Sequence, residues 1–405
     1  MLRAETLGKQ DDPVQLRRIS GPTATELYLL CEPPPNASAS SAARQSEWIY
    51  ASLLERIVSE GGSAASIVSE TLFLRDAASD LEAVLAGRSD ALGAEAAAAV
   101  QLGIGQPPIN ESANLAVALQ AIIPHTGDAL SCERVRPDTG CPCAACAVAA
   151  GVSVRIPTSD ETRFYASGLC GVGDDAYAQT LAMFEAAEAL LSRAGMGFRD
   201  VVRTWIHLRE IDRDYDAFNH ARRAFFEARG VDPVPASTGI AGAPASDAHD
   251  LCLGIYALQK DQAVGPVPRF VMTSPTLNEA GSYGADFVRG MRVPEANKVG
   301  LHVSGTASID EHGATVHVGD FESQADRMIL NVSSLLAKQG ADFGNIVSAM
   351  TYVKRPEDAP LLQQKFREAG YVSFPNVFVH APVCRPELLC ETEALAVLPE
   401  PTRRS

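Results

Sequence analysis

The sequence predicts an α+β protein built from three similar units, with the sheets gathered inside and the helices outside. Three observations predict it. Three segments share one order of helix, glycine, strand, short linker and second helix. The apolar residues ahead of each glycine fall at helical spacing, and apolar strand candidates flank the units. The length, 405 residues, suits two to four domains.

The first segment is "SEWIYASLLERIVSEGGSAASIVSETLFLRD", the second "AQTLAMFEAAEALLSRAGMGFRDVVRTWIHLRE", the third "ESQADRMILNVSSLLAKQGADFGNIVSAMTYVKR". With Gly61, Gly195 and Gly340 aligned, Ile67, Val201 and Ile346 fall in register, and Asp76, Glu210 and Arg355 stand where the strand closes. Met183, Phe184, Ala187, Leu190 and Leu191 make an apolar stripe, as do Ile329, Val332, Leu335 and Leu336. The glycine after each stripe suits a left-handed helix end. Strand candidates are "RFYASGLCGV" and "LCLGIYAL" in the second unit, "LHVSGTASI" and "TEALAVLP" in the third. The expected boundaries are 15–125 for a degenerate first unit, 126–262 for the second and 263–400 for the third. Three such units in one chain imply a pseudo-trimer, monomeric or weakly self-associating, in which each sheet buries its second face against its neighbours.

Composition narrows the partners. Hydrophobic residues make up 46% of the chain and charged residues 21%, enough core for folded units. The formal net charge is −16 and no basic patch is evident, which argues against nucleic acid. The first twenty residues mix charges without an apolar core, and no run approaches the ~20 apolar residues of a membrane helix. With an odd count of nine cysteines, the expectation is a cytoplasmic protein with reduced thiols. No P-loop, dinucleotide fingerprint or HExxH motif appears, so no cofactor is expected.

Cys132, Cys141, Cys143 and Cys146 crowd into one stretch whose spacing does not resolve into two chelating pairs, and His125 is the nearest histidine. Reduced, partly buried thiols and no metal are expected there. His207 alternates with Trp205 on one strand face and reads as a hydrogen-bonded strand histidine. Glu391 and Glu393, two apart on a strand, share a face. The stretch "PVCRPELLCE" before them has strand-like flanks; a hairpin here would also put Cys384 on Glu391's face.

The repeat pattern resembles the YjgF/Rid (RidA-like, L-PSP) superfamily. The third unit resembles it most closely, through "LHVSGTASID", "VHVGDFESQ", "IVSAMTYVKRPED" and "RPELLCETEA". The resemblance implies chorismate mutase-like α+β units with active sites in clefts between them. A narrower resemblance is to the chorismatase branch, through "YDAFNHARRAF", "PASTGIAG", "SYGADFVRG" and "CRPELLCETE". It implies a lyase or hydrolase turning chorismate, or a related small carboxylate, into an aromatic hydroxy acid plus pyruvate in secondary metabolism. Glu391 matches the branch's catalytic glutamate. Gly305 and Cys384 match the 3-hydroxybenzoate-forming members, whereas hydrolytic members carry alanine at both places. Glu391 is then the catalytic acid, and Cys384 shapes the ring pocket rather than attacking. A substrate with carboxylates needs cationic clamps, for which Arg222 (or its neighbour Arg223), Arg289 and Arg355 are candidates. Tyr215 and Tyr283 are candidate hydroxyl donors, and Gly305 with Thr306 forms the segment beside the substrate. Ser237 and Asn376 stand where simple imine deaminases carry an arginine. Two other readings stay open: a Rid-like enzyme acting on an imine, enamine or cyclisation precursor, and a non-catalytic binder of a small ligand.

Overall fold

The computed structural model describes residues 3–7, 13–34, 40–94, 99–137, 141, 143–261, 266–278, 286–371 and 374–399. Tyr283 lies outside them. The first sheet is built from β1 (Arg3–Leu7), β2 (Val14–Ser20), β3 (Ala24–Cys31), β4 (Ile67–Leu74), β5 (Val100–Gly105) and β6 (Leu115–Pro124), with helices α1 (Ala42–Ser59) and α2 (Ala77–Leu92). The second uses β7 (Ser131–Val135), β8 (Ala150–Arg155), β9 (Glu161–Leu169), β10 (Val201–Leu208), β11 (Ala236–Ala241) and β13 (Leu251–Lys260). Its helices are α3 (Ala144–Val148), α4 (Ala176–Arg193) and α5 (Ile211–Arg229), while β12 (Ala243–Pro244) crosses to pair with β5 at the edge of the first sheet. The third has β14 (Phe270–Val271), β15 (Gly290–Pro294), β16 (Val299–Ala307), β17 (Ile346–Val353), β18 (Asn376–His380) and β19 (Cys390–Leu398), with α6 (Phe321–Ala337) and α7 (Ala359–Glu368).

The three sheets repeat one strand order: β1-β2-β3-β6-β4-β5, β7-β8-β9-β13-β10-β11 and β14-β15-β16-β19-β17-β18. In each, the unit's last strand is inserted at the centre. β4, β10 and β17, each following the first long helix of its unit, pair in parallel with β5, β11 and β18, which lie across the second long helix. This is the predicted α+β architecture in triplicate. Gly61, Gly195 and Gly340 all sit at positive φ, between 72° and 88°, as the aligned helix ends require.

Val68 and Val100 of the first unit, Val152 and Val202 of the second, and Met291 and Val293 of the third share one buried cluster between the sheets. Polar groups close the same seam. Arg163 of β9 donates to Glu26 of β3 and to Glu161, both at 2.8 Å, and lies 3.3 Å from Glu295. Lys298 pairs with Glu26 and, at 3.1 Å, with Glu295. A true trimer would bring three identical charges to such a seam. Fusion lets the units differ, with Glu26 from the first, Arg163 and Glu161 from the second and Lys298 and Glu295 from the third, and the desolvation cost is offset by opposite charges. Among the described residues no helix is long and apolar enough to cross a membrane.

Candidate active site

A cavity of about 500 Å³ opens between the second and third units. One wall is α5, which presents Tyr215, Asp216, Asn219, His220 and Arg223. These positions lie on one side of a helix. The other wall is the third sheet and its connections: Arg289 ahead of β15, Gly305 and Ala307 on β16, Glu391 on β19, and Cys384, Arg385 and Leu388 between β18 and β19.

The stretch holding Cys384 is not a hairpin. β18 runs parallel to β17 on one side, and β19 pairs antiparallel to β17 on the other. The connection therefore passes over the end of β17, where Val353 is partnered by both His380 and Cys390. Cys384 and Glu391 still meet at the cavity, but through that crossover and not through a shared strand face.

Glu391 is 4% exposed, opposite Ala307 on β16 and Tyr352 on β17. Burial pushes its carboxyl up to about 8; repulsion from Glu393 adds to the rise, and Arg289 and Arg203 oppose it. Glu393, two residues on, is held by the Arg203 guanidinium at 2.9 Å and the Trp205 indole N–H at 2.6 Å. The two carboxyls thus divide their roles by environment: Glu393 has cationic and N–H partners, and Glu391 keeps its proton at neutral pH.

The ladder between β16 and β19 shifts register between Val303 and Thr306. The shift sets Gly305 against the Glu391 carboxyl. A Cβ added at Gly305 would lie 2.9 Å from Glu391 Cδ, nearer still to its Oε1, and 3.1 Å from the Thr238 methyl. The backbone is pinned there by Thr238 and Ser304: Gly305 N donates to Thr238 Oγ1 at 2.9 Å, and Ser304 Oγ donates to Val288 O at 2.6 Å. Glycine at 305 is therefore a requirement of space.

Arg289 is buried and held by the Asn278 carbonyl and side-chain oxygen, at 2.9 and 3.1 Å. Arg223 pairs with Asp286 at 2.9 Å, and Arg385 donates to Gly313 O at 2.8 Å. These three guanidiniums give the cavity a cationic lining beside a neutral acid. The Cys384 thiol is pushed up to about 12 by burial and by Glu391, with a Tyr215 hydrogen bond acting the other way. It is a thiol at neutral pH, not a nucleophile.

Three expectations are corrected. Arg355 is 46% exposed at the side chain and pairs with Asp358 at 2.6 Å, away from the cavity. It and its aligned partners Asp76 and Glu210 stand at the starts of the helical segments that follow their strands, so their change of sign concerns helix starts. Arg222 does not line the cavity. Four residues after Phe218 and three before Phe225, it joins the buried stripe of α5, stacks on Phe218 and Phe287, and donates to Asn219 at 2.6 Å. Thr306 is buried, with its hydroxyl on the Ser304 carbonyl at 2.8 Å. Sequence reasoning missed Asn219 and His220, and undervalued Arg223 and Arg385. The helical spacing Tyr215–Asn219–Arg223 was the available signal. His207 is buried on β10, and burial pushes its imidazole down to about 4. It belongs to a second, smaller cavity of about 160 Å³ where the three sheets meet, which Glu393 and Arg203 also line.

The isolated reading of the cysteines also changes. His249, distant in sequence, stands among Cys141, Cys143 and Cys146, and Cys132 lies apart from them on β7.

Comparison with known proteins gives this geometry its family. The family model described as Endoribonuclease L-PSP matches residues 284–398. A RutC family protein of Pyrococcus abyssi is 30% identical over 105 residues, 83% of its own length and 25% of this chain. The chain belongs to the YjgF/Rid superfamily. Within the superfamily it stands near the chorismatase branch. A 3-hydroxybenzoate synthase of Streptomyces hygroscopicus is 30% identical over 224 residues, 50% of this chain and 64% of that enzyme, so the match falls short of two thirds of its length. The crystal structure of a chorismatase superposes with a TM-score of 0.60 at 16% identity, covering 82% of this chain and 93% of the other, a likeness of fold.

Proposed function

We propose that the protein is a chorismatase-like enzyme that converts chorismate, or a closely related cyclic enol-ether carboxylate, to an aromatic hydroxy acid and pyruvate. The observation that carries this reading is the buried Glu391 carboxyl, packed without spare room against Gly305 in a cavity lined by Arg223, Arg289 and Arg385. In this reading the guanidiniums bind the substrate carboxylates and fix the enol ether against Glu391. Glu391 donates its proton to the methylene carbon, leaving an oxocarbenium centre next to the ether oxygen. The bond from that oxygen to the ring then breaks, with its electron pair leaving in pyruvate; the vacated ring carbon takes over the neighbouring hydroxyl oxygen, and loss of a ring proton, which restores Glu391, makes the ring aromatic. The atoms of chorismate are those of 3-hydroxybenzoate plus pyruvate, so this route consumes no water. Cys384, a protonated thiol, bounds the ring pocket.

The test is to incubate the purified chain with chorismate, follow pyruvate with a coupled dehydrogenase and separate the aromatic products. The expected result is pyruvate release with 3-hydroxybenzoate as the main product, strongly reduced in Glu391→Gln. No pyruvate from the wild type overturns the reading. Ammonia release from imino acids would instead favour the imine-processing alternative, and tight chorismate binding without turnover would favour a ligand-binding protein.

A further inference from the structure

The Sγ atoms of Cys141, Cys143 and Cys146 and a ring nitrogen of His249 all lie within 4.8 Å of one another. These residues are remote from the Glu391 cavity in role: none of them lines it. Their chemistry is that of a closed tetrahedral metal site. At a Zn–S distance of ~2.3 Å, thiolates around one ion stand about 3.8 Å apart, so the observed cluster needs only a slight contraction.

The histidine is oriented for the task. Its Nδ1 lies 2.9 Å from the carbonyl of Gly171, an acceptor only, so Nδ1 carries the proton. Nε2 then turns its lone pair towards the sulfurs and lies 3.3 Å from Cys146 Sγ. A carbonyl that fixes the tautomer of a ligand histidine is the usual outer-shell arrangement of a zinc site. His249 is 1% exposed and Cys146 is 7% exposed, whereas Cys141 and Cys143 are half-buried, which leaves an entry path for an ion. Cys143 is the N-cap of α3 and Cys146 lies within it, so the helix start holds both sulfurs in one place.

We propose that Cys141, Cys143, Cys146 and His249 bind one zinc ion. The ion joins the segment ahead of β8 to the loop ahead of β13. Cys146 packs in the same buried cluster as Leu102 and Ile104 of β5, so the metal clips the second unit together at its seam with the first. With four protein ligands no position is left for water or substrate, and the role is structural. Binding displaces the thiol protons, so three thiolates and a neutral imidazole hold the ion.

The experiment uses the full chain, purified under reducing conditions without chelator and supplied with zinc, followed by removal of free metal and elemental analysis. The expected result is about one zinc per chain, loss of zinc in Cys143→Ser and His249→Ala, and a lower Tm after chelation. Because these variants can fail to fold, His249→Cys is the second variant: it replaces nitrogen by a fourth thiolate and retains the ion. Cobalt substitution should give thiolate charge-transfer and tetrahedral ligand-field bands. Zinc-free protein after this treatment, or full zinc in a folded Cys143→Ser His249→Ala chain, overturns the proposal. So does a Cys143–Cys146 disulfide that persists in reduced, zinc-supplied protein.

Discussion

The three sheets place three different residues at one position. The next-to-last residue of β4, β10 and β17 is Phe73, His207 and Tyr352 in turn, and the antiparallel partners on the central strands are Ala116, Cys252 and Glu391. All three partners are buried. Two of the three units thus fill the site with a small apolar or thiol side chain, and one with a carboxyl. Two residues further on, the second and third units have Gly254 and Glu393 in equivalent registers. A sheet accepts a buried carboxyl only where something offsets it, or where its protonated form is the useful one. The third unit does both, with Glu393 partnered and Glu391 neutral. The repeat supplies the frame, and in the proposed reaction the departure from the repeat supplies the chemistry.

Removing that departure should have the largest effect. Glu391→Gln keeps the shape of the neutral acid and loses the transferable proton, so pyruvate release should fall on the order of 10²–10⁴-fold while the melting curve stays close to wild type. Gly305→Ala is next. The added methyl must displace the Glu391 carboxyl or spread β16 from β11, because Thr238 closes the other side. A misplacement near 1 Å can cost about 100-fold in rate, and product analysis should show a smaller share of 3-hydroxybenzoate among the products. Cys252→Glu copies the acid into the second unit without its surroundings. It should destabilise the chain by about 1–3 kcal/mol in denaturant titration, and it should restore nothing to a Glu391→Gln background. Arg355→Ala, at a helix start outside the cavity, should leave KM unchanged and stability within about 0.5 kcal/mol.

The fold was legible because repeats multiply a weak local signal. Helical periodicity, a glycine at each helix end and strands on either side recur in each unit, and the glycines take the positive φ they imply. The lining of the candidate cavity was legible in part. Glu391, Gly305, Cys384, Arg289 and Tyr215 meet at one cavity. Arg222 and Arg355 misled for different reasons. Arg222 is one helix position from Arg223, and one position turns the side chain by about 100°, from the cavity to the buried stripe. Arg355 was singled out by its sign at an aligned position, but that position starts a helical segment outside the cavity. The Cys384–Glu391 relation depends on a crossover over β17, which flanking strand patterns cannot distinguish from a hairpin. His249 could not be assigned to the cysteines because 103 residues separate it from Cys146, and only the fold brings them together.

The central claim is that Glu391 holds a proton at neutral pH because of burial and the neighbouring Glu393 charge. Its carboxyl ordinarily titrates near 4.5 and is raised to about 8 in the folded chain. The sign follows: the carboxyl's contribution to stability is fully present below about 4.5 and is lost as pH rises through about 8, and proton donation fails over the same upper range. The most direct measurement is a carbon NMR titration of glutamate carboxyl-labelled protein, with Glu391→Gln to assign the resonance. A midpoint near 8 is predicted. A midpoint near 4.5, with Glu391 ionised at neutral pH, would contradict the account.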